Sequence, residues 1–219
     1  MIEPTTLVVA SSNRGKIVEF GSLAAGLAVE IVSVNEALPE QLSIVEDGET
    51  FEANAMLKAH AVAEATLMLT LADDSGLEVD ALGGRPGVRS ARFAHDRATD
   101  AENNAALLAA LADVEDDRRT ARFRCVLALA DPWAPAAAAP IIARGSCEGS
   151  IAREPRGTGG FGYDPLFIVR GKNCTMAELS DVEKNSLSHR ALALAALRPM
   201  LAALLESRWH QARKAVSTI

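Results

Sequence analysis

An apolar run (Leu67, Met68, Leu69, Leu71, Ala72) leads straight into two adjacent carboxylates, Asp73 and Asp74, and then into Ser75-Gly76. A run of this length and apolarity reads as a buried strand, and Ser-Gly reads as a turn. The sequence therefore predicts a strand ending at Asp73 that delivers acids to a loop. Stability does not call for two carboxylates there, because burying an unpaired charge is costly. For Asp74 the better reading is functional: a carboxylate at a strand end, able to help hold a hard cation such as magnesium.

The remaining pattern is mixed α/β. Leu7–Ala10 reads as a short buried strand, residues 11–16 as a polar loop, Ile17–Leu27 as a helix and Ile31–Val34 as a second strand. Pro39–Gly48 is an irregular acidic segment, and Thr50–Leu67 has helical spacing through Phe51, Ala55, Ala59 and Val62. Thr99-Asp100-Ala101-Glu102 and Ser180-Asp181-Val182-Glu183 match the capping box that opens a helix. Arg122–Ala130 alternates Phe123, Cys125, Leu127 and Leu129 on one face, the mark of a half-buried strand. A Pro/Ala loop over Asp131–Pro140 separates it from a strand at Ile141–Gly149. A last helical stretch spans Leu187–Trp209, with Pro199 as a place to bend.

The 219 residues have room for one domain, 1–219, with a sizeable core. A formal charge of −7 argues against a nucleic-acid binder, which needs a basic surface for phosphates. It leaves open a small anion that brings its own metal. Cys125, Cys147 and Cys174 are far apart, which suits free thiols in a reducing cytoplasm rather than zinc or disulfides. No signal peptide is seen at the N-terminus, and no stretch is apolar enough to span a membrane.

Three constellations carry chemistry. Ser11-Ser12-Asn13-Arg14-Gly15-Lys16, between a strand and a helix, offers free N–H groups and a cation to a phosphate, without Walker A spacing. The acids Glu46, Asp47, Glu49, Asp73, Asp74, Glu78 and Asp80 could supply the few carboxylates that magnesium takes alongside water and phosphate oxygens. Phe161, Gly162, Tyr163 and Asp164 sit in a glycine-rich loop whose rings suit base stacking. Lys184, Ser188, His189 and Arg190 add donors near a helix start. Read singly, each has a plain structural reading: a capped turn, a solvated acidic face, a turn with its rings packed inward. Read together, they describe one ligand with a phosphate end, a metal and an aromatic base.

These strings resemble the inosine triphosphate pyrophosphatase family. The resemblance runs from Ser12-Asn13-Arg14-Gly15-Lys16 through Gly48-Glu49-Thr50-Phe51 and Ala72–Gly84. It continues through Pro86-Gly87-Val88, Gly159–Pro165, Lys184-Asn185 and Ser188-His189-Arg190. It implies a long bent mixed β-sheet flanked by helices, in two lobes with the nucleotide cleft between them, and a homodimer. It implies cleavage of ITP, dITP and XTP between the α and β phosphates, giving the monophosphate and pyrophosphate. By the same resemblance Ser11–Lys16 and Ser75 would meet the phosphates, and Glu46 and Asp74 would bind magnesium. Asp74 would also be the general base. Phe161, Gly162, Tyr163, Asp164, Lys184, Ser188, His189 and Arg190 would form the base pocket. The chain departs from the family pattern at Ala53, Arg89 and His95, where Glu, Tyr and Gly are common. Maf-like nucleotide pyrophosphatases share the architecture, but the Phe161–Asp164 and Ser188–Arg190 strings argue against them.

Overall fold

Parallel and antiparallel pairing meet on one long strand. The computed structural model describes residues 4–38, 42–135 and 139–216. Residues 1–3, 39–41 of the acidic segment, 136–138 of the Pro/Ala loop and 217–219 lie outside it. The strands are β1 (Thr5–Val9), β2 (Val29–Ser33), β3 (Leu69–Val79), β4 (Thr120–Ala130), β5 (Ile141–Ile151) and β6 (Phe167–Val169). They form one sheet in the order β2-β1-β3-β4-β5-β6. β2, β1 and β3 run parallel; β3 to β6 are antiparallel neighbours. The helices are α1 (Arg14–Ala24), α2 (Val34–Ala37), α3 (Phe51–Thr66), α4 (Asp100–Ala110), α5 (Asp181–Leu187) and α6 (His189–Val216).

The strand predicted to end at Asp73 does not end there. β3 continues through Asp73, Asp74, Ser75 and Gly76 to Val79, paired with β4 along the way. Ser75-Gly76 is therefore strand rather than turn. Glycine is tolerated mid-strand because the 87–92 turn approaches it closely: a Cβ at Gly76 would lie 2.5 Å from the Gly87 carbonyl oxygen. Other boundaries shift as well. Val34 opens α2 behind a Ser33/Glu36 capping box instead of closing β2. α1 begins at Arg14, and the last helical stretch divides at Ser188 into α5 and α6, with Pro199 inside α6. The two predicted capping boxes, Thr99/Glu102 and Ser180/Glu183, both form.

β3, β4 and β5 have 11 residues each, roughly 35 Å of strand, so one face of the sheet carries two apolar clusters in succession. Leu69, Leu71, Leu127 and Leu129 pack with Phe20 of α1 and with Ala193, Leu197 and Leu201 of α6. Further along, Leu77, Val79 and Phe123 pack with Leu107 of α4 and with Tyr163 and Phe167. Asp73, Ser75 and Gly145 lie between the clusters on this face. At Gly145 a Cβ would stand 2.1 Å from the His189 carbonyl oxygen, so α6 begins directly on the sheet. The opposite face is covered by α3, whose Phe51, Ala55, Ala59 and Ala63 pack on Ala72, Val126 and Ala128. Small residues on both sides let that helix sit close.

Candidate active site

Strand periodicity sends neighbouring side chains to opposite faces. Asp73 and Asp74, which look like one acidic pair in the sequence, therefore serve two different surroundings. Asp73 faces the gap between the clusters and is 2% exposed. Lys16 Nζ lies 2.8 Å from its Oδ2 and 3.0 Å from its Oδ1. Burial alone would raise the Asp73 carboxyl, but the charges of Lys16, Arg190 and Lys58 outweigh it and hold the group below its ordinary value. Asp74 faces α3, where Asn54 Nδ2 donates to its Oδ2 at 3.0 Å and the Ser75 N–H to its Oδ1 at 3.0 Å. Burial pushes the Asp74 carboxyl up. Lys58 and Asn54 oppose that, and the negative charges of Glu46 and Asp73 reinforce it. The two acids are thus tuned in opposite directions.

α3 orients this second environment. Asn54 and Lys58 are four residues apart and buried on one helix face. Asn54 Oδ1 accepts from the Gly48 N–H at 2.8 Å, and Lys58 Nζ lies 2.8 Å from Glu46 Oε2. Arg92 Nη2 donates to the Glu46 carbonyl oxygen at 3.3 Å. Glu46 and Asp74 line one cavity of about 500 Å³ with Lys16, Lys58, Ser75 and Arg92. Among the described residues no three His, Cys, Asp or Glu side chains gather closely enough to cage a metal unaided. The donor set still fits magnesium, which takes one or two carboxylates and completes its octahedron with water and phosphate oxygens.

The 11–16 loop leaves β1 where its pairing with β3 stops at Leu71. Asn13 caps α1: its Oδ1 accepts from the Lys16 N–H at 3.2 Å, while its own N–H donates to Ser11 Oγ at 3.1 Å. Ser11 and Ser12 line a cavity of about 420 Å³ with Lys16, Lys58 and Asp73. Arg14 and Gly15 form the first turn of the helix; the Arg14 side chain lies outside the description. Lys16 borders this cavity, the Glu46/Asp74 cavity and a third one.

That third cavity, again about 420 Å³, is lined by Asn13, Lys16, Ser75 and all eight residues the sequence assigned to a base pocket, of which Tyr163, Asp164, Ser188, His189 and Arg190 are mostly buried in its wall. Phe161 is 47% exposed, with Lys184 Nζ 5.4 Å and the Arg190 guanidinium carbon 5.6 Å from its ring centre. Lys184 Nζ pairs with Asp164 Oδ2 at 2.6 Å. The Tyr163 hydroxyl donates to the Ser90 carbonyl oxygen at 2.8 Å, so this ring is structural wall rather than stacking surface. His189 stacks on Phe123 with ring centres 4.9 Å apart. Burial and the neighbouring Arg190 keep its imidazole well below the ordinary histidine range, hence neutral. Arg190 is 3% exposed; its Nη1 lies 2.6 Å from Glu19 Oε2, and its Nε has no partner among the described residues.

Glu19, Asn54, Lys58, Asp100 and Asn104 belong to this site by geometry and were given no role from the sequence. A signal existed for two of them. Glu19 follows Lys16 by three residues, and Lys58 follows Asn54 by four, spacings that share a helix face. Asp47, Glu49, Glu78 and Asp80 line none of the three cavities. Glu78 and Asp80 instead pair with Arg124 and Arg122 on the outer sheet surface. Cys125 and Cys147 are buried free thiols, and Cys174 is free and partly buried. No described helix is long and apolar enough to cross a membrane.

The chain is similar to known proteins over most of its length. A dITP/XTP pyrophosphatase of Desulforamulus reducens is 53% identical over 188 residues, covering 86% of this chain and 91% of that protein. One from Bacillus subtilis is 46% identical over 204 residues, covering 93% and 100%. Among solved structures, a HAM1 protein from Coxiella burnetii superposes with a TM-score of 0.83 at 43% identity, covering 90% of this chain and 98% of that one. The Ham1 family model matches residues 7–200, and with that span and these identities the chain belongs to the Ham1 family.

Proposed function

We propose that the protein hydrolyses the non-standard purine nucleoside triphosphates ITP, dITP and XTP to the monophosphate and pyrophosphate, removing them from the nucleotide pool. The observation that carries this reading is the position of Lys16. It borders a ring-lined cavity on one side and two acid- and lysine-lined cavities on the other, as a residue at the junction of nucleoside and phosphates must. The relatives named dITP/XTP pyrophosphatase support the same substrates.

A triphosphate resists attack because its own charge repels nucleophiles. Magnesium, held by Glu46 and Asp74, would neutralise phosphate charge when bound. Lys16, oriented by Asp73, and the N–H groups of the 11–16 loop place positive potential where charge grows on the phosphates. Ser11, Ser12, Asn13 and Ser75 donate to phosphate oxygens. Asp74 takes the proton of the attacking water. It does so by its position in the site rather than by unusual basicity. Asn54 keeps that carboxylate from rotating.

Base selection falls to the pocket around Arg190. The Arg190 guanidinium and the Lys184 ammonium, which both line the cavity, are donors suited to the 6-oxo group of hypoxanthine and xanthine. Adenine presents an amine there and leaves those donors unpaired, a mismatch that binding sites reject strongly. Phe161 supplies the stacking face. In this reading the enzyme is a cytoplasmic homodimer that acts on free nucleotides. The products of ITP turnover test the position of the cut: inosine monophosphate and pyrophosphate in equal amounts are expected, and inosine diphosphate with free phosphate would overturn it.

A further inference from the structure

Residues 157–162 include four glycines, three of them at φ between +61° and +80°. Such a backbone has many conformations open to it, so its fixed path must be imposed from outside. Phe161 sits at the tip with nearly half its ring exposed, and the packed core does not position it. Its own N–H donates to Asp164 Oδ2 at 3.1 Å, and the backbone that follows is pinned as well.

Gly162 is held by both of its backbone polar groups. Its N–H donates to Asp100 Oδ2 at 2.7 Å, and its carbonyl oxygen accepts from Asn104 Nδ2 at 2.8 Å. Asp100 and Asn104 are four residues apart, one turn of α4, and that helix is anchored in the second apolar cluster through Leu107 and Leu111. The next residue, Tyr163, is tied to the Ser90 carbonyl. We infer that Asp100 and Asn104 are positioning residues for the base-stacking ring: they clamp Gly162 onto α4 and so fix where Phe161 stands over the cavity. This rests on the pyrophosphatase reading for its consequence, but the clamp itself does not.

Asp100 also borders the cavity and lies in the first turn of α4. A direct charge on the substrate and a helix-end charge are therefore the competing roles, and three variants separate them. Asp100→Ala and Asn104→Ala each remove one bond. Asp100→Asn keeps an acceptor for the Gly162 N–H and removes the charge. Amide hydrogen exchange without nucleotide is read first. Asp100→Ala and Asn104→Ala should speed exchange over residues 157–164 by about tenfold, the loss of one hydrogen bond, and leave the β3–β4–β5 amides unchanged. Asp100→Asn should restore protection. With ITP, the alanine variants should raise KM about five- to tenfold with kcat changed less, and Asp100→Asn should recover most of it. Unchanged exchange at 157–164, exchange raised across the whole molecule, or an Asp100→Asn variant as impaired as Asp100→Ala would each overturn the inference. The exchange measurement needs no turnover, so a wild-type protein inert on ITP would refute the pyrophosphatase reading without touching it.

Discussion

Asp73→Asn and Asp74→Asn, one residue apart, should have opposite consequences. Asp73 is 2% exposed and faces Lys16 at 2.8 Å with the Arg190 charge nearby, and the fold holds its carboxyl down. The amide leaves buried cations without their anion. Breaking a buried pair costs about 3–5 kcal/mol. The Lys16 side chain is 21% exposed and can turn partly to water, so about 2–4 kcal/mol is expected here. For a chain of this size that lowers Tm by roughly 5–15 °C. Because the folded value is depressed, this contribution is present above the ordinary carboxyl value of 3.8 and is lost as pH falls through the lower folded value. The gap from wild type should therefore persist from pH 8 down to about pH 5.

Asp74 has the other sign. Burial raises its carboxyl, so the folded protein disfavours the charge that function needs. Asp74→Asn should stay within about 1 kcal/mol of wild type, because the relieved charge offsets one weakened hydrogen bond. Turnover should fall at least about 100-fold through loss of the base. Thermal and denaturant unfolding at pH 7, read beside ITP turnover, checks both. An Asp74→Asn variant less stable than Asp73→Asn, or an Asp73→Asn variant that unfolds like wild type, would contradict these roles.

Arg119→Met should lower stability by about 2–4 kcal/mol with turnover per folded molecule intact. Arg119 is buried and donates to the carbonyls of Leu111, Ile151 and Ala152 at 2.7, 2.8 and 3.0 Å, and methionine takes away all three of these donors; urea unfolding measures it. Phe161→Ala should cost roughly tenfold or more in kcat/KM for ITP, because base stacking on an aromatic ring contributes about 1–3 kcal/mol. The exposed ring predicts little change in Tm, and a large drop would mean that it packs. Glu19→Gln frees Arg190 Nη1 from its 2.6 Å carboxylate partner; the preference for ITP over ATP should narrow by about tenfold, and an unchanged ratio of kcat/KM values would remove Glu19 from base selection.

Helix starts were legible because they are local. Thr99/Glu102 and Ser180/Glu183 each bring the whole capping interaction within four residues. One face of β4 was legible, because Phe123, Cys125, Leu127 and Leu129 alternate along it; the strand is not half-buried, since Val126, Ala128 and Ala130 of the other face are buried under α3. The path of β3 was not legible. Ser75-Gly76 has the composition of a turn, and what keeps it extended is the distant 87–92 segment, whose Ser90 Oγ accepts from the Leu77 N–H at 2.8 Å. That error also concealed the division of labour between Asp73 and Asp74, which follows from strand periodicity once both are known to lie mid-strand. Most of the residues named by motif line the three cavities around Lys16, but the side chains that hold them are scattered. Glu19 reaches Arg190 across 171 positions, and Asp100 reaches Gly162 across 62, distances over which a single sequence carries no pairing signal.

The most direct test of the account is pyrophosphate release from ITP, XTP, GTP and ATP at equal concentration, with magnesium and again with excess chelator. Fast release from ITP and XTP, near inertness toward ATP, and loss of all activity with chelator are predicted. Equal rates on all four nucleotides would contradict base selection by the Arg190 pocket, and undiminished release in chelator would contradict the roles given to Glu46 and Asp74.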